Sequence, residues 1–224
     1  MNRSKPHLAL IVPASNTVME PDFHRDAGDD VTVSTWRIFL EDVSREAEER
    51  MLTEELPRCL QELEPTHPDV VVFGCTSAGS LNGLGHDAAI ARSIEEQGGA
   101  DVVTVIGAMV SQLTAASAER VAVFTPYTDE LTTSVAACIS EAGFEVVRAG
   151  GMGLVDNSRI GAVEPHRIVE FVEDAMMDVD AGAVFLSCTN WRAIEAIEPL
   201  TEALGVPVFS SNQVTLAGVR SALA

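Results

Sequence analysis

Short runs of apolar residues recur along the chain and predict the strands of an α/β protein. Leu8–Val12 and Val70–Phe73 are two such runs, stopped by Pro13 and Gly74 respectively. Because runs that are apolar at every position are typical of strands buried on both faces, we interpret both as strands of a parallel sheet. The other predicted strands are Val31–Thr35, Val102–Ile106, Val121–Phe124, Glu145–Arg148, Ala183–Leu186 and Val206–Phe209.

Helical patterns separate these strands, and the longest is a charged stretch from about Val43 to Glu64. Strands that alternate with helices favour βα units and a mainly parallel sheet, in which loops at the carboxyl ends of strands bind ligands. Within the charged stretch we interpret Glu46, Glu48 and Glu49 as a solvated helix face without a role in acid–base chemistry. The pattern therefore predicts an α/β fold class.

An internal repeat organises the predicted strands. Leu8–Pro13 resembles Val121–Pro126, and Val71–Thr76 resembles Val184–Thr189. The same offset of 113 positions relates both pairs. A repeat with matched spacing indicates duplicated structural units.

We infer two homologous lobes, each a mainly parallel sheet flanked by helices and related by a pseudo-twofold axis. The first comprises residues 1–108 and the second residues 109–211. A C-terminal helix at about residues 212–224 is expected to pack back on the first lobe. Such an axis would bring equivalent loops of the two lobes face to face.

The net charge and the lengths of the apolar runs limit which partners the protein can have. The formal net charge is −20 and Lys5 is the only lysine among 224 residues, so nucleic acid and anionic membranes are disfavoured as partners. The apolar runs are too short to span a bilayer, and Met1–Pro6 leads into a strand without a signal-peptide pattern. We expect a cytoplasmic protein and, by default, a homodimer.

Two of the four cysteines occupy equivalent positions in the repeat. Cys75 and Cys188 each follow a predicted buried strand and precede a threonine, where we expect a helix to begin. Backbone N–H groups at a helix N-terminus stabilise a thiolate or a carboxylate. One such cysteine would more simply be a buried apolar residue, but a matched pair favours chemistry. Cys59 and Cys138 lie in helical patterns and are interpreted as core residues.

Neutral polar residues occupy the neighbouring loops. Asn16, Tyr127 and Asn157 each lie in a loop that follows a predicted strand. Tyr127 is the only tyrosine, and its alternative interpretation is a half-buried aromatic residue with its hydroxyl in water. Asn16 and Asn157 could instead be turn residues, since asparagine forms Asx-turns.

Signals for a metal or a nucleotide cofactor are missing. The five histidines show no paired metal-ligand spacing, and the chain has no phosphate-binding P-loop motif. Gly150–Gly153 lacks the glycine spacing of a dinucleotide-binding turn. We therefore predict neither a metal nor a cofactor.

These motifs resemble the aspartate/glutamate racemase superfamily, and within it the maleate cis–trans isomerase branch, across nearly the whole chain. Pro13–Glu20 is similar to the branch's P-x-S-N-T-x-M-E signature. Gly74–Ser77 and Ser187–Asn190 are similar to its two cysteine loops, and Thr125–Tyr127 and Asp156–Gly161 also match.

Two departures separate the chain from sibling activities. Glutamate racemases usually carry an aspartate in the first loop and a histidine after the second Cys-Thr, where this chain has Asn16 and Asn190. Arylmalonate decarboxylases keep only the second cysteine, whereas this chain also has Cys75. The second departure argues against decarboxylation.

The resemblance implies cofactor-independent conversion of maleate, or a similar small cis-dicarboxylate, to fumarate. It implies that Cys75 is the nucleophile and Cys188 the acid or base at the neighbouring carbon. Arg192 could add positive charge near the second loop, or it could be an exposed helix residue. The expected substrate-binding residues are Pro13, Asn16, Thr76, Ser77, Tyr127, Asn157, Thr189 and Asn190.

Alternatives remain at this point. A racemase of amino or hydroxy acids would use the same two thiols to remove and return a proton. An arylmalonate-type decarboxylase and a non-catalytic dicarboxylate-binding protein are less favoured.

Overall fold

The structure is a computed structural model that describes residues 5–224. Residues 1–4, the start of the segment for which we expect no signal peptide, lie outside the described residues. No helix in the described part of the chain is both long enough and apolar enough to cross a bilayer.

Two four-stranded sheets form the framework, and all of their strand pairs are parallel. The strands are β1 His7–Pro13, β2 Thr32–Ile38, β3 Val70–Phe73, β4 Asp101–Thr104, β5 Arg120–Thr125, β6 Glu145–Gly151, β7 Ala183–Leu186 and β8 Val208–Ser210. Their order is β2-β1-β3-β4 in the first sheet and β6-β5-β7-β8 in the second. The second sheet repeats the topology of the first, which confirms the predicted two-lobed α/β fold.

Helices connect successive strands. They are α1 Met19–Asp26, α2 Arg45–Arg50, α3 Leu56–Leu63, α4 Thr76–Ser80, α5 Leu84–Gly98, α6 Val105–Ala115, α7 Asp129–Glu141, α8 Asn157–Gly161, α9 Pro165–Met176, α10 Ile194–Leu204 and α11 Ser211–Ala222. A π-helical segment, Met51–Glu55, joins α2 to α3, and a 3₁₀ turn, Glu64–Thr66, follows α3. The charged stretch from about Val43 to Glu64, which was predicted to be helical, is therefore helical through most of its length. The π-helical turn lies just before Pro57, whose missing N–H disturbs a regular α-helical ladder.

Four predicted strands differ from the structure by two or more residues at one end. β2 and β6 extend three residues further than predicted, to Ile38 and Gly151, whereas two other strands are shorter than predicted. The strand predicted at Val102–Ile106 stops at Thr104, because the Thr104 hydroxyl accepts a hydrogen bond of 3.0 Å from the Gly107 N–H and caps α6. The last strand begins at Val208 rather than at Val206. In both cases the apolar run continues beyond the ladder, so hydrophobicity alone does not mark the boundary.

Helices cover both faces of β1, which is buried along its whole length. Leu8 and Leu10 pack in one cluster with Phe23 of α1 and Leu216 of α11, whereas Ile11 belongs to the main core. The last helix thus lies on the first sheet. The predicted boundary at residue 108 falls within α6, and the division into lobes 1–108 and 109–211 remains a prediction.

Gly74 lets β3 end close to β1. A Cβ atom at this position would lie 2.6 Å from Met19 Sδ and 2.9 Å from the Ile11 carbonyl oxygen. The Gly74 N–H donates a 2.8 Å hydrogen bond to that same carbonyl. The backbone contact leaves no room for a side chain immediately before Cys75.

We expect Gly74→Ala to lower the free energy of unfolding by about 2 kcal/mol, since the added methyl overpacks a rigid contact. Gly85→Ala is the matched control, because Gly85 lies in α5 and a Cβ atom added there would meet no heavy atom within 4 Å. The effect of this control substitution should be below about 1 kcal/mol. Chemical denaturation of both variants measures the difference. If the two variants had equal free energies of unfolding, the close contact at Gly74 would not limit the side chain there.

Candidate active site

Loops at the carboxyl ends of strands from both sheets surround one small buried cavity. Its volume is about 10 Å³, roughly the room that one water molecule requires, so a dicarboxylate can enter only if the cavity widens. The residues that line it are Pro13, Asn16, Leu40, Val43, Cys75, Ser77, Tyr127, Asn157, Cys188, Thr189 and Asn190. The structure therefore brings together both predicted cysteines and most of the predicted binding residues.

Cys75 is the residue at which β3 gives way to α4. It is the N-cap of α4, and its sulfur lies 3.9 Å from Ser77 Oγ. The Ala78 backbone N–H lies near enough to lower the pKa of the thiol slightly. Burial raises the pKa of the Cys75 thiol far above its ordinary value, and the negative charge of Glu48 raises it further. The resting thiol is therefore protonated.

Cys188 faces the same cavity from the second sheet. The Asn190 N–H donates a 3.3 Å hydrogen bond to its sulfur. Burial raises the pKa of the Cys188 thiol to about 12, although the Tyr127 side chain and the N–H groups of Asn190 and Trp191 act in the opposite direction. The expected helix does not begin here, since a turn follows Cys188 and α10 starts only at Ile194.

Tyr127 is buried, with 2% of its surface exposed. Burial is the main cause that raises the pKa of its hydroxyl, and the nearby thiols Cys188 and Cys75 add to it. The hydroxyl is therefore a neutral donor beside Cys188. The alternative interpretation, a half-buried ring with its hydroxyl in water, is wrong for this residue.

Asn16 combines a turn function with a position in the cavity wall. Its side-chain oxygen accepts hydrogen bonds of 3.0 Å from the N–H groups of Val18 and Met19, at the start of α1. Its amide nitrogen donates to Thr189 Oγ1 at 3.1 Å, and this hydroxyl donates to the Gly74 carbonyl at 3.0 Å. The second cysteine loop is thereby hydrogen-bonded to both ligand loops of the first sheet.

Asn190 makes a second link between the sheets. Its side-chain oxygen accepts a 2.8 Å hydrogen bond from the Thr17 N–H. Its amide nitrogen donates to the backbone and side-chain oxygens of Asn157 at 2.6 and 2.9 Å. Asn157 in turn donates to Ser15 Oγ at 2.8 Å, so the three loops form one network.

Two residues considered from the sequence lie outside the cavity wall. The Thr76 hydroxyl hydrogen-bonds to Ser211 Oγ at 3.1 Å, behind the site. Arg192 forms ion pairs of 2.8 Å with Glu164 and 2.9 Å with Glu195, so two carboxylates neutralise its charge at the surface. The cavity wall consequently contains no charged side chain among the residues described.

Three residues near the site escape sequence analysis. Leu40 and Val43 line the cavity from the loop after β2, and the Val43 N–H donates a 2.8 Å hydrogen bond to the Val155 carbonyl of the other sheet. Glu48 of α2 lies behind the wall. None has a repeat partner or a local motif, so only the folded structure reveals their positions.

The interpretation of Glu48 as part of a solvated helix face is wrong. Its side chain is completely buried, and one carboxyl oxygen accepts a short hydrogen bond from Ser77 Oγ. Burial raises the pKa of the Glu48 carboxyl to about 8. Its other oxygen, Oε2, has no hydrogen-bond partner in the described part of the chain.

Residues 5–224 contain no cluster of three or more His, Cys, Asp or Glu side chains suited to hold a metal ion. All four cysteines are free and buried. The arrangement instead offers two thiols, a phenol and several amide and hydroxyl groups. This set can add a nucleophile to a substrate and move a proton on its opposite side.

The sequence model of the arylmalonate decarboxylase family matches residues 8–224. The maleate isomerase of Geobacillus stearothermophilus is 30% identical over 93% of this chain and 88% of its own length. The crystal structure of the maleate isomerase Iso from Pseudomonas putida gives a TM-score of 0.90 at 26% identity, covering 97% of this chain and 92% of that chain. A cysteine-to-serine variant of the Nocardia farcinica maleate cis–trans isomerase, with a covalently bound succinylcysteine intermediate, gives 0.87 at 25% identity over the same shares. The chain thus belongs to the arylmalonate decarboxylase family, and its resemblance to the maleate isomerase branch of the aspartate/glutamate racemase superfamily is confirmed.

Proposed function

We propose that this chain is a cofactor-independent cis–trans isomerase that converts maleate, or a similar small cis-dicarboxylate, to fumarate. The observation that carries the proposal is that Cys75 and Cys188 line one buried cavity from the two sheets. The related Nocardia farcinica isomerase forms a covalent succinylcysteine intermediate, which is the adduct that such a pair of thiols would produce. The same pair distinguishes this site from a one-cysteine decarboxylase site.

Covalent addition removes the barrier to rotation. The Cys75 thiolate donates its electron pair to one alkene carbon and forms a C–S bond, while the π electrons move to the neighbouring carbon and its carboxylate. The carbon–carbon bond is then single and can rotate. Neutral donors directed at the carboxylate oxygens stabilise the developing charge, and Asn16, Tyr127 and Asn157 are our candidates.

Cys188 manages the proton at the neighbouring carbon. Its S–H can protonate the carbanion to give a succinyl adduct, and the resulting thiolate takes a proton back from the same carbon after rotation. The electron pair then re-forms the double bond, the C–S bond breaks and fumarate leaves. Protons and electrons are both returned, so the cycle requires no cofactor.

Incubation with maleate should place one substrate molecule covalently on Cys75. Proton NMR in heavy water should show conversion to fumarate by the wild-type chain, and Cys75→Ala should lower kcat by roughly 10³-fold or more, because the nucleophile is lost. Cys138→Ala is the control, since Cys138 is an equally buried thiol in α7. Untouched maleate together with exchange of the α-proton of an amino or hydroxy acid would indicate the racemase instead.

Cys188→Ser should separate addition from release. We expect the Cys75 adduct to form and to persist, because a serine hydroxyl is too weak an acid and base to complete the proton transfers. Intact-protein mass spectrometry during turnover measures the lifetime of the adduct. A variant that releases fumarate at the wild-type rate would exclude Cys188 as the proton carrier.

The homodimer and the cytoplasmic location remain predictions. The residues expected to contact substrate likewise remain proposals.

A further inference from the structure

Glu48 is a buried carboxyl group that forms no ion pair with any of residues 5–224. Arg45, the cation that acts on its pKa, lies 2.9 Å from Glu130 and 3.7 Å from Glu49 in ion pairs. Glu48 Oε2 is buried and has no hydrogen-bond partner in the described part of the chain. An unpaired buried carboxylate is costly and, in a native structure, requires an explanation.

A single hydroxyl connects this carboxyl group to the nucleophile. Ser77 Oγ donates a short hydrogen bond to Glu48 Oε1 and lies 3.9 Å from Cys75 Sγ. Serine has one hydroxyl proton and two lone pairs, so a hydroxyl that donates to Glu48 can accept from the Cys75 S–H. Cys75, Ser77 and Glu48 therefore form a directed chain of proton donors and acceptors.

The chain also meets an electrostatic requirement. A thiolate formed by loss of a proton to water would place a second negative charge near an ionised Glu48, inside a wall that contains no cation among the residues described. Transfer of the proton to Glu48 relocates one charge instead of adding another. The low dielectric of a buried site strengthens this preference.

We propose that Glu48 stores the proton that Cys75 gives up, and that Ser77 passes it. The Cys75 S–H proton moves to Ser77 Oγ while the Ser77 hydroxyl proton moves to Glu48 Oε1, which leaves a thiolate and a neutral carboxyl group. The reverse transfer follows when the C–S bond breaks. Glu48 acts through Ser77 and does not touch the reacting carbon, so it is a positioning residue.

The inference rests on the proposed function only in taking Cys75 as the nucleophile. The charges and titratable groups that face Glu48 are Asp42, Arg45, Cys75, Cys188 and Tyr127. Asp42 raises and Arg45 lowers the pKa of the carboxyl, and burial outweighs both to bring it to about 8. Since only the ionised carboxyl accepts a proton, Cys75 reactivity in the wild-type chain should increase with pH through about 8.

The test measures alkylation of Cys75 by iodoacetamide as a function of pH, with each cysteine quantified by peptide mass spectrometry. This readout does not depend on which substrate the enzyme uses. The variants are Glu48→Gln, Ser77→Ala and the double variant. Glu46→Gln is the matched control, because it makes the same carboxyl-to-amide change at an exposed position on the same helix.

We expect Glu48→Gln to slow Cys75 alkylation near neutral pH by roughly 10²-fold, which is the lower end of the range for loss of a general base. The increase of the alkylation rate with pH should also move to higher pH. Ser77→Ala should have a similar effect, and the double variant should be no slower than either, because both changes interrupt one path. Glu46→Gln should match the wild type.

A purely repulsive carboxylate predicts the opposite sign, since its removal would favour the thiolate and speed alkylation. Faster or unchanged alkylation in Glu48→Gln would therefore overturn the proposal. So would wild-type Cys75 that reacts no faster than the buried core cysteines Cys59 and Cys138. Conversely, the expected alkylation pattern without turnover of maleate would refute the proposed substrate and leave the relay intact.

Thermal denaturation provides the folding control. Folding raises the pKa of the Glu48 carboxyl to about 8. As the pH rises from the pKa of this carboxyl in the unfolded chain toward 8, the unfolded chain ionises first, so the free energy of unfolding decreases. Glu48→Gln should then unfold at no lower temperature than the wild type above pH 8. Loss of reactivity in a well-folded variant thus reports on the proton path.

Discussion

The geometry of the site depends most on the hydrogen bonds that the Asn190 side-chain amide makes. It accepts from the Thr17 N–H of the first sheet's loop and donates to both oxygens of Asn157, while the adjacent Thr189 hydroxyl donates to the Gly74 carbonyl. Each contact pairs a polar group that would otherwise be buried alone, so separating the sheets would cost several hydrogen bonds at once. The two cysteine loops are therefore held in register by the same amides and hydroxyls that line the cavity.

This solution has an electrostatic consequence. The wall is closed by neutral groups, Leu40 and Val43 add apolar surface, and Arg192 is neutralised outside it by two glutamates. Burial then raises the pKa of both thiols, which opposes the thiolate that addition to an alkene requires. In such a site, where the proton goes becomes as important as which atom attacks.

Much of this arrangement was predictable from the sequence because it is repeated or local. Apolar runs located the strands, and the 113-residue offset paired Cys75 with Cys188 across the two lobes. The burial of Glu48 was not predictable, since its charged neighbours Glu46 and Glu49 are exposed and no local pattern marks the glutamate that contacts Ser77 of α4. The predicted strand end near Thr104 failed for a related reason, because a side-chain cap competes with hydrophobicity there and hydrophobic patterns do not record it.

The polar groups around the two sulfurs are unequal, and the proposed proton path runs from one sulfur to the other. Cys75 has the Ala78 N–H and Ser77 beside it, whereas Cys188 has the Asn190 and Trp191 N–H groups and the Tyr127 side chain. With the relay, a single negative charge passes from Glu48 to Cys75, then to the substrate carbon and its carboxylate, and finally to Cys188. The first transfer is uphill, because the pKa of the Glu48 carboxyl is about 8 whereas burial holds the pKa of the Cys75 thiol far above its ordinary value. Formation of the C–S bond then draws the charge onward to the substrate. The substrate must rotate before the charge returns along this path. Release of fumarate is therefore linked to the return of the proton from Glu48 to Cys75.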